Sequence, residues 1–474
     1  MPFPRRHLVA STVLAALVLG LLPLLMWAGA PVLFALSSVV LAALGLWNPR
    51  LGALALVVLA APDLVGTAEL GRFTLRASQV AALGMCLGVL ARELGHGTLR
   101  ESLRRFPRPL LLMVVFAVIA GVHVALGEVP NPTKGLAYVA WSLFTSLGVA
   151  GGLWLVLSTR DDVDLALRST ILAATAIAMF GLLQWLVGAL GGDPPLVTQW
   201  MEGLPRINGL SYEPSYFAFS MVTVLGLALA SFLRRPPLLH PLLAAGCSSV
   251  LVISLVLASS RSGWIGLAVI TLCALAVIVT GWSRMERVQR RGLGVLASGY
   301  ALAALLLLIS SSDSYARMAR RGFDLEEQSS SAPRLEGVRQ ALGMFRDRPV
   351  LGVGLGQFGG ALAREHGQVL SPERMDQLVT FNLYAELAAE NGLLGLGLVI
   401  AALLLVLRAC WRLLRSRDPW ANARGRALLL AAVVLFGIMY QFNQTLFRTD
   451  VWCLIGLVLA ARDGKAMETT EQRA

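Results

Sequence analysis

The sequence predicts an all-α protein that crosses a lipid bilayer about 12 to 14 times and carries one large helical loop on a single face. Three observations carry that prediction. Apolar residues make up 56% of the chain and charged residues only 14%, against about 25% charged in an ordinary soluble domain. Apolar runs recur along the whole length, most near the roughly 17 to 25 residues a helix needs to cross the hydrocarbon core with its backbone satisfied. Only the stretch 311–391 interrupts the series at length.

Taken in order, the runs are 8–26, 31–47, 51–65, 77–94, 109–127, 135–157, 169–190, 214–233, 242–260, 262–281, 293–310, 391–409, 427–446 and 447–462. Arg5 and Arg6 precede the first, but no small-residue cleavage site follows, so it reads as a helix rather than a removed signal. The short 51–65 run and the tight 427–462 pair are the candidates for re-entrant segments. These runs divide the chain into transmembrane helices 1–11 (1–310), a large outer loop (311–390), C-terminal transmembrane helices (391–462) and a tail (463–474).

Orientation follows from arginine placement. With a cytoplasmic N-terminus, the inner loops hold Arg50, the group from Arg92 to Arg108, Arg160, Arg168, Arg234, Arg235, the group from Arg284 to Arg291, and the group from Arg408 to Arg426. The short outer loops hold only Arg72, Arg76, Lys134, Arg206, Arg261 and Arg448. This asymmetry puts 311–391 outside and both termini inside. It also accounts for the formal charge of +12, so no nucleic-acid partner is implied. The five cysteines all fall in apolar runs without metal-ligand spacing.

Within the loop, Leu335, Val338, Leu342 and Phe345 recur at helical spacing after Pro333, and Pro349 stops the run. A glycine-rich segment follows. Gly354 to Gly359 fits G-x-G-x-x-G, but with a helix ahead of it rather than a strand it reads as a tight turn laying backbone onto the bundle, not a dinucleotide site. From Pro372 a second helix is expected to run into the next span, with Asn382, Glu386 and Glu390 on one face. Asp161-Asp162-Val163-Asp164 reads as a solvated charge run at a helix start near Thr159, and Asp324, Glu326 and Glu327 as loop solvation.

Two arginines stand out. Arg206 precedes a span in a stretch crowded with Asn208, Ser211, Tyr212, Glu213, Ser215 and Tyr216, with Pro214 at the first helical turn. Free N–H groups at a helix start and a guanidinium fork can both hold phosphate. Arg261 lies in Ala-Ser-Ser-Arg-Ser-Gly-Trp between two apolar runs, where a charge is costly unless paired or functional. Arginine binds two phosphate oxygens at once. Of the five histidines only His366 lies in the outer loop.

These residues resemble the O-antigen ligase and Wzy polymerase superfamily over roughly 200–400: Arg206, Gly209, Glu213 and Pro214 at a helix start; the turn Ser260, Arg261, Ser262; the outline from Arg334 to Gly354; and Asn382, Tyr384, Glu386, Glu390, Gly392 and Gly395 in N-x-Y-x-E-x-x-x-E-x-G-x-x-G. Each pattern is degenerate alone; together they fall in order on one face. The resemblance implies an all-helical fold related to glycosyltransferases of the C type, in a bacterial inner membrane, with a periplasmic loop over a cavity. It implies glycan transfer from undecaprenyl pyrophosphate without cofactor or metal.

Arg206 and Arg261 are then expected to hold the pyrophosphate. Asn208, Tyr212, Glu213, Ser262, Arg334, Asn382, Tyr384 and His366 are the expected substrate contacts. The ligases carry a histidine just before the last motif; here Phe381 occupies that place. For the base this leaves Glu386 and Glu390 first, then Glu213 and His366, and it favours the polymerase branch. A flippase of the Wzx type and a chain-length regulator of the Wzz or Wzc type are the implied partners. A ligase acting on lipid A core and a lipid-linked oligosaccharide transporter are the alternatives.

Overall fold

The computed structural model describes residues 31–62, 67–70, 73–127, 129–201, 204–233, 236–310, 332–367, 371, 374–375, 378–443 and 446–471. The expected first span, 8–26, and the loop carboxylates Asp324, Glu326 and Glu327 lie outside them. Every other expected apolar run is a helix. In order these are α1 (Pro31–Trp47), α2 (Pro49–Leu59), α3 (Ala77–His96), the short α4 (Leu99–Arg104), α5 (Arg108–Leu126) and α6 (Pro132–Val156). There follow α7 (Arg160–Ala189), α8 (Pro214–Leu233), α9 (Pro241–Leu257), α10 (Arg261–Gly281), α11 (Arg287–Ser310), α12 (Ala332–Asp347), α13 (Phe358–Glu365), α14 (Leu383–Leu414), α15 (Pro419–Gln441) and α16 (Thr449–Glu471).

Nine of the described helices are long and apolar enough to cross a membrane, so the protein is an all-α polytopic membrane protein. Two small hairpins, Thr67–Leu70 with Phe73–Arg76 and Trp200–Met201 with Leu204–Pro205, were not anticipated. Helix α2 has 11 residues, about 16 Å at 1.5 Å per residue, too short to span alone.

Helix α8 is the axis of the bundle. It is the most buried of the candidate spans and packs against α7, α9, α10 and α15. Helix α12, which the apolar spacing in the loop predicts, packs on α14. The second loop helix starts later than expected. Asn382 is the N-cap of α14, its side chain accepting from the Ala385 N–H at 3.0 Å, so it closes the helix start instead of sharing a face with Glu386 and Glu390. A short helix not read from sequence, α13, follows the glycine-rich turn.

The glycine-rich segment is the tight turn expected, and it breaks α14. The N–H groups of Val353 and Gly354 donate to the carbonyls of Ala389 and Glu390 at 2.9 and 2.8 Å, while those of Leu393 and Leu394 donate to Pro349 and Val350 at 2.7 and 3.3 Å. Loop backbone thus replaces one turn of helical bonding. Gly392 takes φ 59° at the break, and a Cβ there would collide with the Val350 carbonyl.

At the opposite end of the bundle, the solvated charge run is only half right. Asp162 and Thr159 form a reciprocal cap. Asp164 instead is buried, receiving Arg424 in two bonds of 2.6 and 2.7 Å and the Trp420 indole at 3.1 Å. That pairing joins α7 to α15 and was invisible in a local reading.

Candidate functional site

The two arginines singled out from sequence meet at one turn. A loop turn presents Arg206, whose guanidinium donates to Gln199 Oε1 at 2.7 Å and to the Ser259 carbonyl at 3.0 Å. Ser259 holds φ 54°, a left-handed conformation rare for a residue with a side chain. It aims its carbonyl at Arg206 from the turn that Arg261 ends. Arg261 is the first residue of α10, with Ser260 as N-cap. The cation therefore stands at the positive end of a helix dipole, beside N–H groups that lack helical partners, an arrangement suited to an anion.

Arg334 joins them from the first turn of α12. Burial, and then the Arg261 charge, push its pKa below the usual arginine value, while Glu213 pulls it back up. One loop helix and two spans thus bring Arg261, Arg334 and Glu213 within electrostatic reach. Glu213 also accepts from the Ser215 hydroxyl at 2.9 Å, and the Arg334 guanidinium lies 5.0 Å over the Phe381 ring. Phe381 has φ 53°, so the residue in the ligase histidine's place is held in a strained turn against an arginine.

A second polar group lies beyond Phe381. The buried Thr380 hydroxyl donates to Glu386 at 3.0 Å, and Glu386 lines a cavity of about 180 Å³ with Lys134, Tyr138 and Glu390. Glu390, a base candidate from sequence, accepts the Gly356 and Phe358 N–H groups at 2.8 and 2.9 Å, one on each oxygen. Its carboxylate anchors the glycine-rich turn, which leaves Glu386 the better placed of the two for proton transfer.

Other expected contacts have structural work. Asn208 is fully buried and donates to the carbonyls of Leu196 and Ser211, so it shapes the loop that presents Arg206 instead of lining the site. Ser262 shares a 3.1 Å bond with Ser260 at the start of α10. Asn382, besides capping, donates to Gln441, and the Tyr384 hydroxyl donates to the Phe436 carbonyl in a π-helical turn of α15. Tyr212 is exposed beside Glu213. His366 stands exposed just past the end of α13, and no described contact joins it to the arginines.

Sequence reasoning missed Arg448. Its guanidinium lies 4.7 Å over the Tyr216 ring and 6.0 Å from that of Phe219, beside Asp450 at 3.5 Å. Asp450 in turn accepts from Ser220 on α8. The only signal was a lone arginine between two spans, and its nearness to α8 depends on how α16 packs.

Compared with known families, residues 246–400 match the model described as O-antigen ligase. That segment is an O-antigen ligase family domain. It runs from within α9 into α14 and contains Arg261, Arg334, Glu386 and Glu390, while Arg206, Glu213 and Arg448 enter from outside it. The search of curated proteins returned no match. The match supports, at a coarse level, glycan transfer of the ligase or polymerase type.

Proposed function

We propose that the protein is a Wzy-type polysaccharide polymerase of the bacterial inner membrane, moving a growing glycan from undecaprenyl pyrophosphate to a lipid-linked repeat unit at the periplasmic face. The observation that carries this reading is the convergence of Arg206, Arg261 and Arg334 about one helix start with Glu213. As the anomeric C–O bond breaks, its electron pair passes to the pyrophosphate oxygen. Fixed guanidinium groups stabilise that charge most as it develops.

The acceptor hydroxyl forms the new C–O bond and gives up its proton, with Glu386 as the acceptor of that proton. Attack on the face opposite the leaving group inverts the anomeric centre. Phe381 in the place of the ligase histidine favours polymerase over ligase, because it supplies no base there. A flippase that delivers repeat units and a chain-length regulator complete the system on this reading.

Reconstitution with lipid-linked repeat units tests it. Arg206→Ala and Arg261→Ala, at normal membrane levels, are each expected to lower the transfer rate about 10²-fold, the usual loss for one anion-stabilising donor. Wild-type polymer length in both variants sinks the reading. In a deletion strain, single capped units support a polymerase, and unattached long chains point to a ligase.

A further inference from the structure

The cavity between α6, the glycine-rich turn and the start of α14 is not needed to hold a pyrophosphate, and its chemistry differs from that of the arginine cluster. Its volume is about 180 Å³. Lys134, Glu386 and Glu390 supply polar, ionisable groups, while Tyr138 and Phe447, packed edge to face at 6.0 Å, supply an apolar wall. The Lys134 ammonium lies 5.8 Å from the Tyr138 ring centre.

The walls are tied in place. Asn131 caps α6 through the Lys134 N–H at 3.0 Å. The Gln357 side chain exchanges two bonds with the Asn131 backbone, at 2.7 and 2.8 Å. Glu390 fixes the same turn from the other side, and the Trp141 indole donates to the Phe447 carbonyl at 3.1 Å. Such a cavity is formed before any ligand arrives, as small-molecule sites usually are.

The lining selects a ligand class. Lys134 is the one cation in the lining and two acidic side chains stand beside it, a poor match to a phosphate. A lipid chain would strip water from three polar side chains without replacing their hydrogen bonds. A neutral polyol meets every requirement, since each hydroxyl both donates and accepts and the carbon face of a sugar ring can lie against Tyr138. Residues 380 and 381 join the cavity to the arginines, Thr380 bonding Glu386 and Phe381 lying under Arg334.

We infer that this cavity is a sugar subsite, built by Lys134 and Tyr138 around Glu386, that takes the terminal residue of the acceptor glycan. The inference rests on the proposed glycan transfer for the word acceptor, but sugar binding can be measured without catalysis. The probe is the lipid-free repeat-unit oligosaccharide released by mild acid from the cell's own lipid-linked pool. Its binding to full-length protein in nanodiscs is read by saturation-transfer NMR.

Binding is expected in the wild type and unchanged in Arg206→Ala. Lys134→Met is expected to weaken it about tenfold, the size of one lost charge-assisted hydrogen bond, and Tyr138→Leu to weaken it severalfold by removing the ring under the sugar, whereas Lys134→Arg largely preserves it. Lys134 is half-buried and Tyr138 exposed, so thermal unfolding of the variants is expected to match the wild type. Should Lys134→Met unfold early, Lys134→Arg and Tyr138→Leu decide. Absence of oligosaccharide binding to the wild type, equal binding in all variants, or full competition by inorganic pyrophosphate overturns the inference. Undiminished transfer by Arg206→Ala would instead remove the polymerase reading and leave the subsite standing.

Discussion

Arg334 shows how a single charge is held against its own preference. Its depressed pKa, from burial and then from Arg261, means that the folded protein disfavours the cation. Stability linked to a lowered arginine pKa is present above the unfolded value and lost as pH falls through the folded one. Arginine stays protonated in proteins across the neutral range, so no step in stability is expected there. The charge itself still costs stability there. Arg334→Gln is therefore expected to raise the melting temperature of the ligand-free protein while lowering transfer, and to reduce the stabilisation gained from added pyrophosphate. A differential scan with and without pyrophosphate checks both. A lower melting point in the variant would mean that the stacking on Phe381 outweighs the repulsion. Residue types told much here: Arg206 and Arg261 were legible as charges at membrane boundaries, and Glu213 and Arg334 through the motifs of the resemblance. The role of Glu390 was not, because only the folded turn brings two N–H groups to its oxygens.

The broken helix α14 makes the argument at the next scale. Its first nine residues carry Glu386 and Glu390 and its remainder is the span, with Gly392 at the break. Gly392→Ala combines a left-handed backbone, about 1–3 kcal/mol of strain, with a collision against the Val350 carbonyl. It is expected to sharply lower both the melting temperature and the membrane level. Gly397→Ala, in the same helix with open space around it, is expected to stabilise by about 1 kcal/mol. Thermal unfolding of the pair in detergent separates a general effect of glycine from the specific break. The turn was readable in sequence from its glycines, and α12 from its apolar spacing. The start of α14 was displaced from Pro372 to Leu383 because Asn382 is a strong cap and Phe381 sits at positive φ, and neither is a matter of periodicity.

Across the whole molecule, a buried ion pair ties the far end of the bundle together. Asp164 on α7 and Arg424 on α15 are both buried, and Arg424 also donates to the Pro236 carbonyl at 2.7 Å in the segment before α9. Removing one partner strands a buried charge, about 3–5 kcal/mol. Asp164→Asn or Arg424→Met is expected to lower the unfolding temperature markedly, and Asp164→Leu with Arg424→Met to recover most of it. Equal losses in the single and double variants would show that the pair's worth lies in packing rather than charge. Since α7, α9 and α15 all support α8, the single variants are also expected to lower transfer although they lie at the opposite end of the bundle from Arg206.

The sequence by itself determined that this is a helical membrane protein, where nearly every apolar helix lies, and which arginines stand at boundaries on the loop side. Those properties are local: bilayer thickness sets span length, and charge bias is counted loop by loop. Only the tertiary structure decided that Arg334 reaches Arg261 and Glu213, that Arg448 leans on α8, that Asp164 is buried, and that Glu390 holds a turn while Glu386 faces a cavity. Each of those outcomes depends on which distant backbone arrives beside a side chain, and the spacing of residues along one chain does not encode that.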